Sequence, residues 1–118
     1  MNYLGVDYGE KHVGVALAQG TMAEPLESFL RSKAVQLIKP LVNKYNIEAV
    51  IVGDCPESFL NELAQLDLPI YQADETLSTR DATQALLHTT KSRRKNLEHA
   101  VAAALILQNW LDFSEGTQ

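Results

Sequence analysis

The sequence has little of the material that builds disulfide-stapled or membrane-spanning proteins. Its 118 residues include one cysteine, Cys55, so no disulfide can form within the chain, and a reducing cytoplasm is the expected compartment. No apolar run approaches the roughly 20 residues that cross a bilayer, and the N-terminus lacks the basic start of a signal peptide. The length suits one domain with a real core and is too short for two. We therefore expect a single cytoplasmic domain without a membrane partner.

Basic residues are also scarce, and their distribution says more than their number. Ten lysines and arginines stand against fifteen acidic residues, and the net charge of −5 argues against binding nucleic acid through bulk electrostatics. Four of the ten, however, fall within residues 91–95, directly before the last predicted helix. Such a patch can hold phosphates, although it can also be a solvated loop between helices. The residues predicted to contact a nucleic-acid backbone are Lys11, Arg80, Arg93, Arg94 and Lys95.

One carboxylate interrupts an apolar strand near the N-terminus. Asp7 follows the apolar residues 3–6, and a second apolar strand begins at His12 after a short turn. An ionised carboxylate is costly to bury unless hydrogen bonds or a cation compensate it. Asp7 is therefore either a turn-forming residue just past the strand or part of a ligand site. Gly5 and Gly9, two residues away on either side, would let a ligand approach the backbone closely.

The predicted elements follow the order β-β-β-α-β-α-β-α-α. We expect a hairpin, an edge strand over residues 23–32, a helix over 33–45 that contains a proline, a buried strand over 49–53, a helix over 56–66, a strand over 68–73, and helices over 78–89 and 97–113. This order predicts an α/β domain with a mixed five-stranded sheet, a three-strand antiparallel meander plus parallel strands, flanked by helices. The domain is assigned to residues 1–113 and a flexible tail to 114–118.

Three acidic residues fall at or near the carboxyl ends of predicted strands. They are Asp7, Asp54 and Glu75, and the carboxyl ends of parallel strands are where ligands gather in such sheets. A cluster of carboxylates is mutually repulsive and is best tolerated when it binds a divalent cation. Asp54 is also placed to cap the helix that follows it, with Glu57 completing a capping box, and we favour that structural role.

Four segments together resemble the YqgF family, a RuvX-like group. They are the hairpin LGVDYGEKHVGVALA, the strand VIVGD with the proline that follows, the segment DETLSTRDA and the final AAALILQNWL. The family consists of RuvC-related proteins of the ribonuclease H-like fold, described as Holliday junction resolvases and as pre-16S ribosomal RNA nucleases. The resemblance covers residues 3–111. It implies a ribonuclease H-like domain in which Asp7 and Glu75 are catalytic acids that bind a divalent cation, Mg²⁺ or Mn²⁺.

The chain departs from the family pattern at its last helix. The family has an aspartate shortly before the paired alanines, and this chain has His99 at that position. Glu98 is adjacent, but one helical residue is about 100° of rotation, so it does not simply replace the missing acid. Because imidazole ligates manganese or zinc, we take His99 as the third catalytic and metal-binding residue. The loop after Gly53 is also shorter than in the family, and His12 stands where the family usually has arginine.

The resemblance implies metal-assisted phosphodiester hydrolysis on structured nucleic acid. Processing of the 5′ end of pre-16S rRNA is the preferred function, and a Holliday junction resolvase acting on four-way DNA and a non-catalytic RNA-binding module remain open. The spacing of Asp7, Gly9 and Gly14 also resembles the first phosphate motif of actin-like ATPases, which bind nucleotide between two such domains. This chain has room for one. Trimming RNA needs one active site and resolving a junction needs two, so a monomer or a homodimer is expected.

Overall fold

The computed structural model describes residues 1–73 and 98–116, with side chains through Asp112. The strands are β1 (Asn2–Asp7), β2 (His12–Gln19), β3 (Ala23–Leu30), β4 (Ala49–Val52) and β5 (Ile70–Gln72). The helices are α1 (Ala34–Lys44), α2 (Glu57–Leu63) and α3 (Glu98–Gly116), and short 3₁₀ helices cover Arg31–Lys33 and Ala64–Leu66. Within the described ranges, no helix is long and apolar enough to cross a membrane.

The described strands form one five-stranded sheet in the order β3-β2-β1-β4-β5. The first three strands pair antiparallel as a meander, and β4 and β5 join β1 in parallel. This arrangement confirms the mixed sheet predicted from the sequence. The carboxyl ends of β1, β4 and β5 lie along one edge, and Asp7 is the last residue of the central strand β1.

The two faces of the sheet support separate apolar cores. Successive side chains of a strand point to opposite faces, so Leu4 and Val6 of β1 pack toward α1 and α2, whereas Gly5 and Asp7 face α3. The larger core has buried residues from β1, β2, β4, α1 and α2, among them the fully buried Phe59. Alanines make up half of the core beneath α3, which consists of Ala16, Ala18, Ile51, Ala103, Ala104, Ile106, Leu107 and Leu111. Small residues on both sides let α3 lie close to the sheet.

Several boundaries differ from the sequence-based prediction. The strand β3 ends at Leu30 because the chain turns into a 3₁₀ helix at Arg31, and α3 continues to Gly116 rather than ending at Phe113. Pro40 lies inside α1 without ending it. The predicted helix over residues 78–89 lies outside the described residues.

The expected role of Asp54 as a helix cap is wrong. The N-cap of α2 is Pro56, and no side chain makes a capping hydrogen bond there. The carbonyl oxygen of Pro56 instead accepts the backbone N–H groups of Phe59 and Leu60. Proline fixes its own φ at a value that suits this position, here −66°, so the helix starts two residues later than a cap at Asp54 would allow.

Candidate active site

Asp7 lies at the carboxyl end of β1, where the central strand leaves the sheet. Its Cα is paired with that of Gly14 on the neighbouring strand β2, and its side chain is 14% exposed. A mostly buried carboxylate at this position is placed by the strand itself, because the alternation along β1 turns residue 7 toward α3. The residue is therefore held on the sheet rather than on a free turn.

Glycines on β1 and β2 accommodate α3. A Cβ at Gly5 would come within 2.7 Å of the Ala103 carbonyl oxygen, and one at Gly14 would overlap the backbone of His99. A Cβ at Gly9, in the β1–β2 turn (residues 8–11), would come within 2.8 Å of the His99 ring. The sequence-based interpretation that Gly5 and Gly9 leave room for a ligand therefore needs correction. At Gly5 the space is filled by the last helix, and at Gly9 it is filled by the carbonyl oxygen of His12 together with the His99 ring. The close packing of the last helix on the sheet carries His99 to Asp7.

His99 contacts Asp7 directly. Its Nδ1 lies 2.9 Å from Oδ2 of Asp7, and the imidazole is 37% exposed. A carboxylate only accepts hydrogen bonds, so Nδ1 is the donor in this pair and Nε2 is the nitrogen left for another partner. An imidazole oriented by a carboxylate through one nitrogen is the arrangement found around metal-binding and proton-transferring histidines.

Two residues near His99, Glu98 and His12, differ in their relation to the Asp7–His99 pair. Glu98, the neighbouring acid on α3, is exposed, whereas His99 lies against Asp7. The ring of His12, at the start of β2, lies roughly parallel to that of His99, with centroids 6.4 Å apart and an angle of 23° between the planes. His12 therefore lines the same edge, although sequence reasoning noted it only as a departure from the family pattern.

The other predicted site residues are only partly covered by the described ranges. Lys11 is exposed in the β1–β2 turn, and its carbonyl oxygen accepts the backbone N–H of Arg31 at 2.8 Å. The remaining predicted residues lie outside the described residues: Glu75, Arg80, Arg93, Arg94 and Lys95. Their roles stay predictions.

The described donors suit a divalent cation but do not complete a site for one. Among residues 1–73 and 98–116, no group of three His, Cys, Asp or Glu residues could hold a metal ion. Asp7 and His99 supply one oxygen and one nitrogen separated by 2.9 Å. Adjacent ligands on one ion, with bonds of about 2.1 Å at right angles, are separated by about 3 Å. The separation of Oδ2 and Nδ1 would therefore suit two neighbouring positions of one ion, provided that the ion replaces the proton on Nδ1, and such a site would need at least one further ligand.

A second cluster next to the site was missed by sequence reasoning. The guanidinium of Arg31 makes a bidentate ion pair with Glu62, with Nη2–Oε2 at 2.6 Å and Nη1–Oε1 at 3.2 Å, and lies over the rings of Tyr8 and Phe59. The hydrogen bond from Arg31 lowers the pKa of Glu62. The same bond, together with a hydrogen bond between Arg31 and Tyr8, raises the pKa of Arg31. No local sequence signal joins residues so far apart in the chain.

Comparison with known proteins identifies the family. A family model described as "RuvX: Holliday junction resolvase" matches residues 1–59 and 54–113. The two matches overlap at residues 54–59, directly after Gly53.

Two curated relatives span nearly the whole chain. A protein of Halothermothrix orenii, named "Putative pre-16S rRNA nuclease", is 33% identical over 134 aligned positions that cover 96% of each chain. A protein of the same name from Syntrophus aciditrophicus is 34% identical, covering 95% of this chain and 89% of its own. Each alignment is longer than the 118 residues of this chain, so both relatives have residues that it lacks.

A solved structure shares the fold. RuvC of T. thermophilus in complex with a Holliday junction substrate superposes with a TM-score of 0.61 at 16% identity, covering 99% of this chain and 97% of that one. The ribonuclease H-like fold expected from the sequence is thereby confirmed. Together with the family match over nearly the whole sequence, these findings establish that the chain belongs to the RuvX family.

Proposed function

We propose that the chain is a metal-dependent nuclease of structured nucleic acid that processes the 5′ end of precursor 16S rRNA in the cytoplasm. The contact between Asp7 and His99, at the carboxyl end of the central strand, is the observation that carries the proposal. The names of the relatives from H. orenii and S. aciditrophicus support the choice of substrate, because both align over almost their entire length.

The proposed cation ligands are Asp7, His99 and Glu75. Oδ2 of Asp7 and Nδ1 of His99 lie at a separation suited to one ion that replaces the proton between them, and Glu75 follows β5, whose carboxyl end lies at the same edge of the sheet. A nitrogen donor favours Mn²⁺ over Mg²⁺, which prefers an all-oxygen shell. When bound, the ion would activate water and stabilise the leaving oxygen of the phosphodiester.

The chain's own residues contribute orientation and phosphate binding. Before a cation binds, Asp7 orients the imidazole of His99 through Nδ1. Lys11, exposed in the β1–β2 turn that follows Asp7, would hold a phosphate close to the reacting one. The basic residues proposed to bind the flanking backbone are Arg80, Arg93, Arg94 and Lys95. Backbone contacts of this kind provide affinity and register with little sequence information.

A second candidate function is resolution of four-way DNA junctions. The description of the family model and the likeness to a RuvC structure that holds a Holliday junction favour this candidate. It requires two active sites and hence a homodimer, whereas trimming an rRNA end needs a monomer only. A third candidate, a non-catalytic RNA-binding module, follows from the replacement of the expected aspartate by His99.

A cleavage assay with two substrates and two cations tests these candidates. We expect the wild-type protein to cut a precursor of 16S rRNA with Mn²⁺ more efficiently than with Mg²⁺, and to leave a four-way DNA junction intact. Cleavage of the junction alone would identify a resolvase, and binding of RNA without cleavage under either cation would identify a binding module.

The Asp7→Asn variant tests the site itself. It preserves the shape of the side chain and removes the charge, so we expect cation-dependent cleavage to be lost while the protein stays folded. Asp67→Asn is the matched control, because Asp67 is exposed, precedes β5 at the opposite edge of the sheet, and adopts a left-handed conformation (φ 60°) that asparagine also tolerates. Full activity in Asp7→Asn would refute the proposed site.

A further inference from the structure

Arg31 connects the β1–β2 turn to α2. Its guanidinium makes the bidentate ion pair with Glu62 of α2, and its Cζ lies 4.8 Å from the ring centre of Phe59 and 5.3 Å from that of Tyr8. Phe59 is fully buried in the larger core, and the Arg31 side chain is 20% exposed. The guanidinium is therefore fixed on one side by a carboxylate and on the other by two rings.

Both ends of the β1–β2 turn are attached to this cluster. At the first residue of the turn, the ring of Tyr8 packs against Phe59 with centroids 4.9 Å apart and lies under the guanidinium. At the last residue, the carbonyl oxygen of Lys11 accepts the backbone N–H of Arg31 at 2.8 Å. On the opposite face, Gly9 lies against the ring of His99. The β1–β2 turn, which follows Asp7 and ends with Lys11, is thus held from both faces of the sheet.

The chemistry of the cluster is specific to arginine. Only a guanidinium offers a planar fork that pairs with both oxygens of a carboxylate while its face stacks on an aromatic ring. Lysine would keep the charge but could make neither the bidentate pair nor the flat contact with Tyr8 and Phe59. The ion pair with Glu62 also restricts the rotamers of Arg31, which keeps the guanidinium over the rings.

We propose that Arg31 is a positioning residue of the active site, which holds the β1–β2 turn and, through Tyr8, fixes the carboxylate of Asp7. The effect on catalysis rests on the proposed nuclease function. The effect on the position of the turn rests on the geometry of the cluster alone. Arg31 does not touch the reacting atoms. It acts because Tyr8 directly follows Asp7 in the chain, so a shift of Tyr8 moves the backbone that carries the carboxylate, and a displacement of about 1 Å in a catalytic group can cost a hundredfold in rate.

Three variants test the proposal against a matched control. Arg31→Ala removes the ion pair and the ring contacts, Arg31→Lys keeps only the charge, and Glu62→Gln removes the charge that holds the guanidinium. Lys33→Ala is the control, because Lys33 is an exposed basic residue two positions away. The measurements are kcat and KM for RNA cleavage, Mn²⁺ affinity by calorimetry, and residue-specific amide exchange in the turn and at position 31.

For both Arg31 variants, we expect kcat to fall by about ten- to a hundredfold with KM changed less than about twofold, and Mn²⁺ to bind more weakly. The amide at position 31, which donates to Lys11, should exchange faster. Glu62→Gln should show smaller changes in the same direction, and Lys33→Ala should match the wild type. Full rescue by Arg31→Lys, or unchanged exchange and Mn²⁺ affinity in Arg31→Ala, would overturn the inference. If the wild-type protein does not cleave RNA, the proposed function fails, and the exchange and Mn²⁺ measurements still decide whether Arg31 positions the turn.

Discussion

The Gly14→Ala substitution tests whether the packing of α3 on the sheet creates the active site. A Cβ at Gly14 would overlap the backbone of His99 and Ala100, and neither neighbour is a flexible side chain that could rotate away. Carbon atoms in contact lie about 3.5 Å apart or more, so the start of α3 and strand β2 would have to separate by roughly 1.5 Å. The 2.9 Å contact between His99 and Asp7 would then exceed hydrogen-bonding distance.

The expected loss of folding stability follows from the packing that is disturbed when α3 and β2 move apart. Inserting a methyl into a well-packed core costs typically 1–3 kcal/mol, and we expect about 3 kcal/mol because both clashing groups are backbone. For a domain of this size, such a loss lowers Tm by roughly 12 °C. Gly5→Ala should cost less, because its nearest neighbours, the Ala103 carbonyl oxygen and the Leu107 Cβ, would lie 2.7 and 2.8 Å from the added Cβ and overlap it less than the backbone at Gly14 does.

Chemical denaturation measures the loss of stability, and the NMR signals of the His99 ring report the loss of its contact with Asp7. Gly20→Ala is the control, since Gly20 has a φ of +113° but nothing within 4 Å of an added Cβ. It should destabilise the protein by about 1–3 kcal/mol through backbone strain and leave the His99 signals unchanged. If Gly14→Ala stays within about 0.5 kcal/mol of the wild type, with unchanged His99 signals, the packing described for α3 is wrong.

Three further predictions address the cation, the nucleic acid and the ion pair. His99→Asp replaces a nitrogen donor by oxygen, so we expect a higher ratio of Mg²⁺- to Mn²⁺-supported cleavage than in the wild type, and an unchanged ratio would exclude His99 as a ligand. Replacing the three basic residues Arg93, Arg94 and Lys95 by glutamine should reduce the slope of log K against log[salt] by about 2–3 for duplex substrates, whereas an unchanged slope assigns them to ordinary surface. Because Arg31 lowers the pKa of Glu62, the ion pair stabilises the fold above the ordinary value of 4.5 and this contribution disappears as the pH falls through the lowered value. In urea denaturation, Glu62→Gln should therefore be less stable than the wild type at pH 7, by less than about 1 kcal/mol given the partial exposure of Glu62, and should approach it toward pH 3; a constant difference would contradict the ion pair.

Local sequence patterns predicted most of the fold. The apolar runs of β1, β2 and β4 and the helical spacing of α1 each depend on neighbouring residues, and all are found close to their predicted bounds. The start of α2 was predicted wrongly because two nearby residues can each begin a helix. Asp54 and Pro56 could both begin α2, and the proline does so because its φ is already suited to the position.

The sequence by itself determined the mixed character of the sheet, the family and the importance of Asp7, because the succession of strands and helices, a charge in an apolar strand and the four motifs can be recognised without knowing any contact. Only the tertiary structure decided what surrounds Asp7. His99 lies 92 residues away in the chain, and Arg31 pairs with Glu62 across 31 residues, and neither contact leaves a periodic pattern in the sequence. The glycines show the difference most directly: their lack of a side chain predicts a close approach, but the approaching group is α3, which is defined only when the helix packs on the sheet.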